Sequence, residues 1–141
     1  MFNLVGALRI TIGHMVFDAT LETELAPNTC RAIRSLLPLR SRIIQARWSG
    51  EAAWIPLGDM RLGIDYENHT SHPAPGQILV YPGGISEMEI LVPYGSTCFA
   101  SKVGQLAGNH FATITADRSD LRAMGRLVLW EGAQDLLIEE I

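Results

Sequence analysis

Residues 16–38, V-F-D-A-T-L-E-T-E-L-A-P-N-T-C-R-A-I-R-S-L-L-P, constrain the fold more than any other stretch of this chain. Val16, Asp18 and Thr20 alternate with Phe17, Ala19 and Leu21, the pattern of a strand with one buried face. The strand runs into Ala26-Pro27, and a proline suits the first helical position because its missing N–H would lack a partner there anyway. Cys30, Ile33, Leu36 and Leu37 then recur at helical spacing, and Pro38 ends the helix. The unit is a half-buried strand feeding a short helix with a single apolar stripe, and such a helix needs a sheet to cover.

Short strands surround this unit. Leu8, Ile10 and Ile12 alternate with Arg9 and Thr11, and Gly13-His14 turns the chain into the strand at 15–21 as a hairpin. Arg42 to Trp48 and Ala52 to Leu57 read as a pair joined by S-G-E at 49–51. Residues 58–76 are polar and turn-rich, a long loop of a kind that is often functional. Ile78 to Val80 forms a short strand closed by Y-P-G-G. In Ile85 to Val92, Met88, Ile90 and Val92 share one face while Glu87, Glu89 and Leu91 share the other. Gly104 to Asn109 reads as loop, Phe111 to Thr115, Gly125 to Trp130 and Leu136 to Ile141 as strands, with a helical turn near Leu121. The expected fold is mainly β, a small closed barrel with one clear α-helix after the second strand, in a single domain over 1–141.

Composition narrows the function. The net charge is −4, and ten arginines and one lysine are scattered without a patch, so nucleic acid is not the expected partner. Charged residues make up only 18% of the chain, against ~25% in an average domain, and the mean hydropathy is +0.16. Together with exposed apolar candidates such as Trp130, this favours a homo-oligomer, most simply a dimer. No apolar run approaches the ~20 residues of a membrane span, and no leader peptide is visible, so a cytoplasmic location is expected. Cys30 and Cys98 match no metal spacing and read as buried free thiols.

Few constellations carry chemistry. Glu87 and Glu89 project from one strand face about 7 Å apart, a solvated pair on the simplest reading and an acid/base pair on the sharper one. Glu51 lies in a turn bracketed by Trp48 and Trp54, a carboxylate in water on the simplest reading and, on the sharper one, a group whose pKa apolar walls would raise. His110 is the histidine best placed for acid/base work, at the head of a strand. E-N-H-T-S-H at 67–72 lacks the spacing of a recognised metal site and reads as loop surface. No G-x-S-x-G elbow and no phosphate loop occur, and neither metal nor cofactor is expected.

Three segments together resemble cyclophilins: A-P-N-T-C-R-A-I-R-S-L-L at 26–37, G-N-H-F-A-T-I at 108–114 and M-G-R-L-V-L-W-E-G-A-Q-D-L-L at 124–137. R-W-S-G-E-A-A-W-I-P-L at 47–57 and P-A-P-G-Q-I-L-V-Y-P-G-G at 73–84 are similar to short bacterial cyclophilin-like proteins of unknown function. The resemblance implies a cyclophilin-like barrel. It places Ala53 where the catalytic arginine of a prolyl isomerase would stand and Ala112 near the position of the proline-pocket phenylalanine. Alanine cannot hold a twisting amide, so useful isomerase activity is not expected, and a residual prolyl isomerase is only the third reading. The expected function is binding of a small molecule or a partner protein. The alternative is a small hydrolase, or an accessory subunit of an amide-hydrolysing enzyme, using Glu51, Glu87 and His110. In such a barrel the hairpin at 47–57, the strand end at Tyr81 and the strand entering at His110 would converge on one groove. Trp48, Trp54, Tyr81 and Phe99 would wall it, with Arg47 as an anion anchor.

Overall fold

A computed structural model describes residues 6–141. In chain order the elements are β1 (Ala7–Ile12), β2 (Met15–Leu21), α1 (Pro27–Arg34), β3 (Leu39–Gln45), β4 (Gly50–Gly58), β5 (His69–Thr70), β6 (Gln77–Tyr81), β7 (Met88–Thr97), β8 (Ala100–Ser101), β9 (Gly104–Gln105), β10 (Gly108–Ile114), α2 (Arg118–Glu131) and β11 (Gln134–Glu140). Eight strands follow one another in the order β2-β1-β11-β3-β4-β7-β6-β10, and β10 pairs back to β2 through Ala112–Leu21, Thr113–Thr20 and Ile114–Ala19. The result is a closed antiparallel barrel, so these eight strands leave no open lateral edge. The two-residue β5 flanks β10, and β8 and β9 form a separate small hairpin.

Alternation decides what goes inside. Leu8, Ile10 and Ile12 of β1, and Phe17, Ala19 and Leu21 of β2, are buried in the barrel while Arg9, Val16, Asp18 and Thr20 face out. Ala53 and Ile55 of β4, Ile78 and Val80 of β6, and Met88, Ile90 and Val92 of β7 fill the same interior. Cys30 and Ile33 of α1 and Leu121, Met124 and Val128 of α2 complete that core. Both cysteines are free. Cys30 is buried, which pushes its thiol up to about 11, whereas Cys98 is only half-buried.

The expected strand at 125–130 is instead part of the 14-residue helix α2. The run Leu127-Val128-Leu129-Trp130 has no alternation of its own, and the buried set Leu121, Met124, Gly125, Leu127 and Val128 lies along one face at helical spacing once the whole segment is taken. Trp130 therefore lies on a helix, 78% exposed, and the described residues form two helices rather than one. Boundaries elsewhere move by a few residues. The third strand ends at Gln45 rather than Trp48, β7 runs on to Thr97, and β10 begins at Gly108 inside the expected loop. No helix among the described residues is long and apolar enough to cross a membrane.

The long loop at 58–76 is tied to α1 by one carboxylate. The side chain of Ala26, before α1, can offer no cap, and the first-turn N–H groups of a helix need partners from elsewhere. Glu67 supplies one: its carboxylate accepts from Thr29 N–H at 2.7 Å, from Thr29 Oγ1 at 2.7 Å and from Asn28 Nδ2 at 3.1 Å. Asn109, fully buried, donates to Thr29 Oγ1 and to the Asp65 carbonyl and accepts from Glu67 N–H. Desolvation opposes the charge on Glu67, but the bonds from Thr29 and Asn28 outweigh it and hold its pKa below the ordinary value. Replacing Glu67 with alanine should cost about 1 kcal/mol, as for loss of a helix N-cap, and should weaken α1 first. Urea denaturation gives the loss, and hydrogen exchange at the α1 amides locates it.

Candidate functional site

Outward-facing residues of β4, β6 and β7 do not all meet water. Ala52, Leu79, Tyr81 and Leu91 join Phe99 and Leu106 in a second, smaller core on the outside of the barrel, roofed by the segment at 98–107. Tyr81 and Phe99 meet edge to face with ring centroids 6.3 Å apart. Gly108 is required here, because a Cβ at that position would sit 2.7 Å from the Phe99 ring and 2.9 Å from Leu79 Cβ. The roof is fastened to the turn before β4. Ser49 Oγ donates to the Ala100 carbonyl at 3.2 Å and accepts from Ala100 N–H at 3.0 Å, while Cys98 N–H donates to the Ser49 carbonyl.

Beside this roof a cleft of about 160 Å³ opens onto the outer face of β4 and β7. Trp54, Leu91 and Glu89 form its floor, with Trp54 directly across from Leu91 and Glu89 across from Pro56 on one side and Tyr81 on the other. Arg47 and Trp48 of the turn make one wall, Ser101 and Lys102 of the small hairpin another, and Ser86 and Glu87 the entrance to β7. Arg47, Trp48, Glu87 and Lys102 are exposed, whereas Glu89 is only 5% exposed.

Glu89 is the unusual group. Its carboxylate makes no hydrogen bond among the described residues, and proline at the cross-strand position has no N–H to give. Burial drives its pKa up to about 7; the Trp54 indole N–H pulls it back and the neighbouring Glu87 charge pushes it further up. The Trp54 Nε1–H beside it is, among the described residues, the one buried side-chain polar atom without a completed hydrogen bond, whereas the Glu89 carboxylate reaches the cleft. A buried carboxyl left without protein partners is costly to keep, and such groups concentrate at functional sites.

The expected site residues are divided by this geometry. Arg47, Trp48, Trp54 and Glu87 line the cleft together, and Tyr81 and Phe99 lie under it in the smaller core rather than on its surface. Glu51 is elsewhere: it is exposed, accepts from Ser96 N–H at 2.8 Å and faces a hollow shared with Tyr94, Arg122 and Arg126. His110 is also apart, on the outer face of β10. Thr113 Oγ1 donates to Glu22 at 2.7 Å, so His110 Nε2 must be the donor in its own 2.7 Å bond to Thr113. Burial lowers the His110 pKa, against the pull of Glu22.

The carboxylate buried beside a tryptophan is thus Glu89. Sequence placed Glu89 on the outward face and took that face as solvated. The missing information was that β7 lies between β4 and β6 under a partial roof, which covers both of its faces. Glu67 is bound to α1, and His69 packs against the Tyr66 ring at 5.0 Å; among the described residues no three His, Cys, Asp or Glu side chains gather as a metal site.

Two solved structures share the architecture. The structure of McbB in complex with tryptophan matches with a TM-score of 0.71 and 19% identity over 94% of this chain, which spans only 44% of McbB. The solution structure of the hypothetical protein AF2241 from Archaeoglobus fulgidus matches with a TM-score of 0.64 and 22% identity, over 98% of this chain and 96% of that one. At such identities the likeness shows the fold alone. No curated protein sequence gives a significant match. Residues 8–139 match the family described as protein of unknown function, DUF3830, and the chain belongs to that family.

Proposed function

We propose that this protein binds a small organic molecule in the cleft over Glu89, on a cyclophilin-like barrel without prolyl isomerase chemistry. The observation that carries the reading is Glu89 itself, a 5%-exposed carboxylate in an aromatic-lined cleft with no hydrogen bond from the described residues. Small-molecule sites combine apolar walls with a few polar groups that fix orientation. Trp48 at the side and Trp54 at the floor supply the aromatic surfaces; Glu89, Ser49 and Ser101 supply polar atoms at the floor and sides. Against an isomerase stands Ala53, wholly buried in the barrel core with no donor to offer. Against the hydrolase alternative stands the separation of Glu51 and His110 from Glu87.

Calorimetric titration with a panel of one- and two-ring aromatic compounds tests the proposal. L-Tryptophan leads the panel, because McbB was solved with it. At least one compound should bind, and Trp54→Ala should weaken it about tenfold or more through loss of a stacking wall. Binding untouched by Trp54→Ala would place the ligand elsewhere, and a panel with no binder would remove the site.

A further inference from the structure

We propose that the ligand of this cleft is an organic ammonium ion, whose charged nitrogen sits on Glu89 at the floor while its apolar body lies against Trp54 and Trp48. This deepens the small-molecule reading and rests on it.

The argument starts from what the floor lacks. An ionised carboxylate only accepts hydrogen bonds. Glu89 receives none of good geometry from the described residues. Its cross-strand neighbour Pro56 has no N–H, and the hydroxyl of its other neighbour, Tyr81, lies with Ile85 N–H, from which it accepts at 3.0 Å, and makes no bond to Glu89. A ligand that satisfies Glu89 must therefore bring donors beyond the neighbouring Trp54 N–H, and N–H groups carrying positive charge make the strongest bonds to a carboxylate. The tryptophan walls favour the same class, since a cation over an indole face is attracted by the ring. An anionic ligand fits worse. Arg47 and Lys102 would attract it, but both are exposed at the mouth, and an anion held there leaves Glu89 unsatisfied below it. Those two cations suit an acidic or polar tail that stays at the entrance.

Binding of an ammonium ion favours the ionised form of Glu89, which gives the interaction a characteristic pH dependence. Glu87, Arg47, Lys102 and Tyr81 face or back the same space and act on the carboxylate in both bound and free states. In the free protein the Glu89 carboxyl titrates at about 7, so below that pH the ligand must displace a proton.

Three probes of one shape, tryptamine, indole-3-propionate and 3-ethylindole, are titrated calorimetrically between pH 5.5 and 8.5. Tryptamine should bind tightest at pH 8, and its affinity should fall roughly tenfold per pH unit below 7. Glu89→Gln should cost at least tenfold at pH 8 and abolish the slope; should that variant fail to fold, the probe ranking and the wild-type slope still decide. Tighter binding of indole-3-propionate, or a tryptamine affinity that does not change with pH, overturns the ammonium assignment. Equal binding of all three, weakened by Trp54→Ala, leaves the cleft as a small-molecule site and refutes the ammonium ion. No binding by any probe refutes both.

Discussion

Raising the pH from 4.5 to 7 should lower the stability of the wild-type protein by up to about 3 kcal/mol, and Glu89→Gln should remove most of that loss. The sign follows from where the proton resides. In the unfolded chain Glu89 titrates near 4.5, and in the barrel burial moves it to about 7. Between these values the folded state holds a proton that the unfolded state has lost, so stability is full below the lower value and declines as pH rises through the upper one. One pH unit across that window is worth about 1.4 kcal/mol. Glu67 acts in the opposite sense and in a separate range. Its pKa is lowered by folding, so its contribution is present above the ordinary carboxylate value and is lost as the solution becomes more acid. Urea denaturation of wild type and Glu89→Gln at half-unit pH steps checks the prediction. Parallel curves would mean that the carboxyl is solvated and that the cleft floor is not as described.

Gly125→Ala should destabilise the protein by about 2 kcal/mol, although alanine is the better helix former by about 1 kcal/mol. Gly125 is buried in α2, and a methyl group there would overlap the ring of Tyr94. The ring has little room to retreat, because Tyr94 Oη donates to Gln45 Oε1 at 2.6 Å. Overpacking of this kind costs about 1–3 kcal/mol, which outweighs the helical gain. Thermal or urea unfolding measures the net effect. Stabilisation would show that helix and sheet can separate locally, and in a Tyr94→Ala background the same substitution should cost less, because the ring it strikes is gone.

The barrel was legible in the sequence wherever strands have one dry face. β1 and β2 were readable residue by residue because Arg9, Asp18 and Thr20 break the apolar set with period two. The helix after Pro27 was legible from its turn and its stripe. α2 was not, because Leu127 to Trp130 is a contiguous apolar run, and such a run takes its meaning from neighbours outside the window. The cleft was legible in its tryptophans, Arg47 and Glu87, which are close in sequence or lie on paired strands. Its floor was not. Whether Glu89 meets water depends on the segment at 98–107 folding back over β6 and β7, and nothing local to Glu89 announces that roof. Glu51 and His110 were drawn in because turn and strand ends gather at barrel mouths, but β4 turns Glu51 toward α2 and β10 turns His110 toward Glu22.

The last of the described strands is not at the margin of the barrel. β11 lies between β1 and β3, pairing Ile10 with Ile138 on one side and Arg42 with Asp135 on the other. During synthesis, then, the ring cannot close while residues 134–140 are still unmade or inside the ribosome. Until they emerge, β1 and β3 each have a row of unpaired backbone groups next to apolar side chains destined for the interior. Such edges recruit other strands. The nascent chain is therefore most exposed to misassembly just before residues 134–140 emerge, and the same residues that complete the barrel end that exposure.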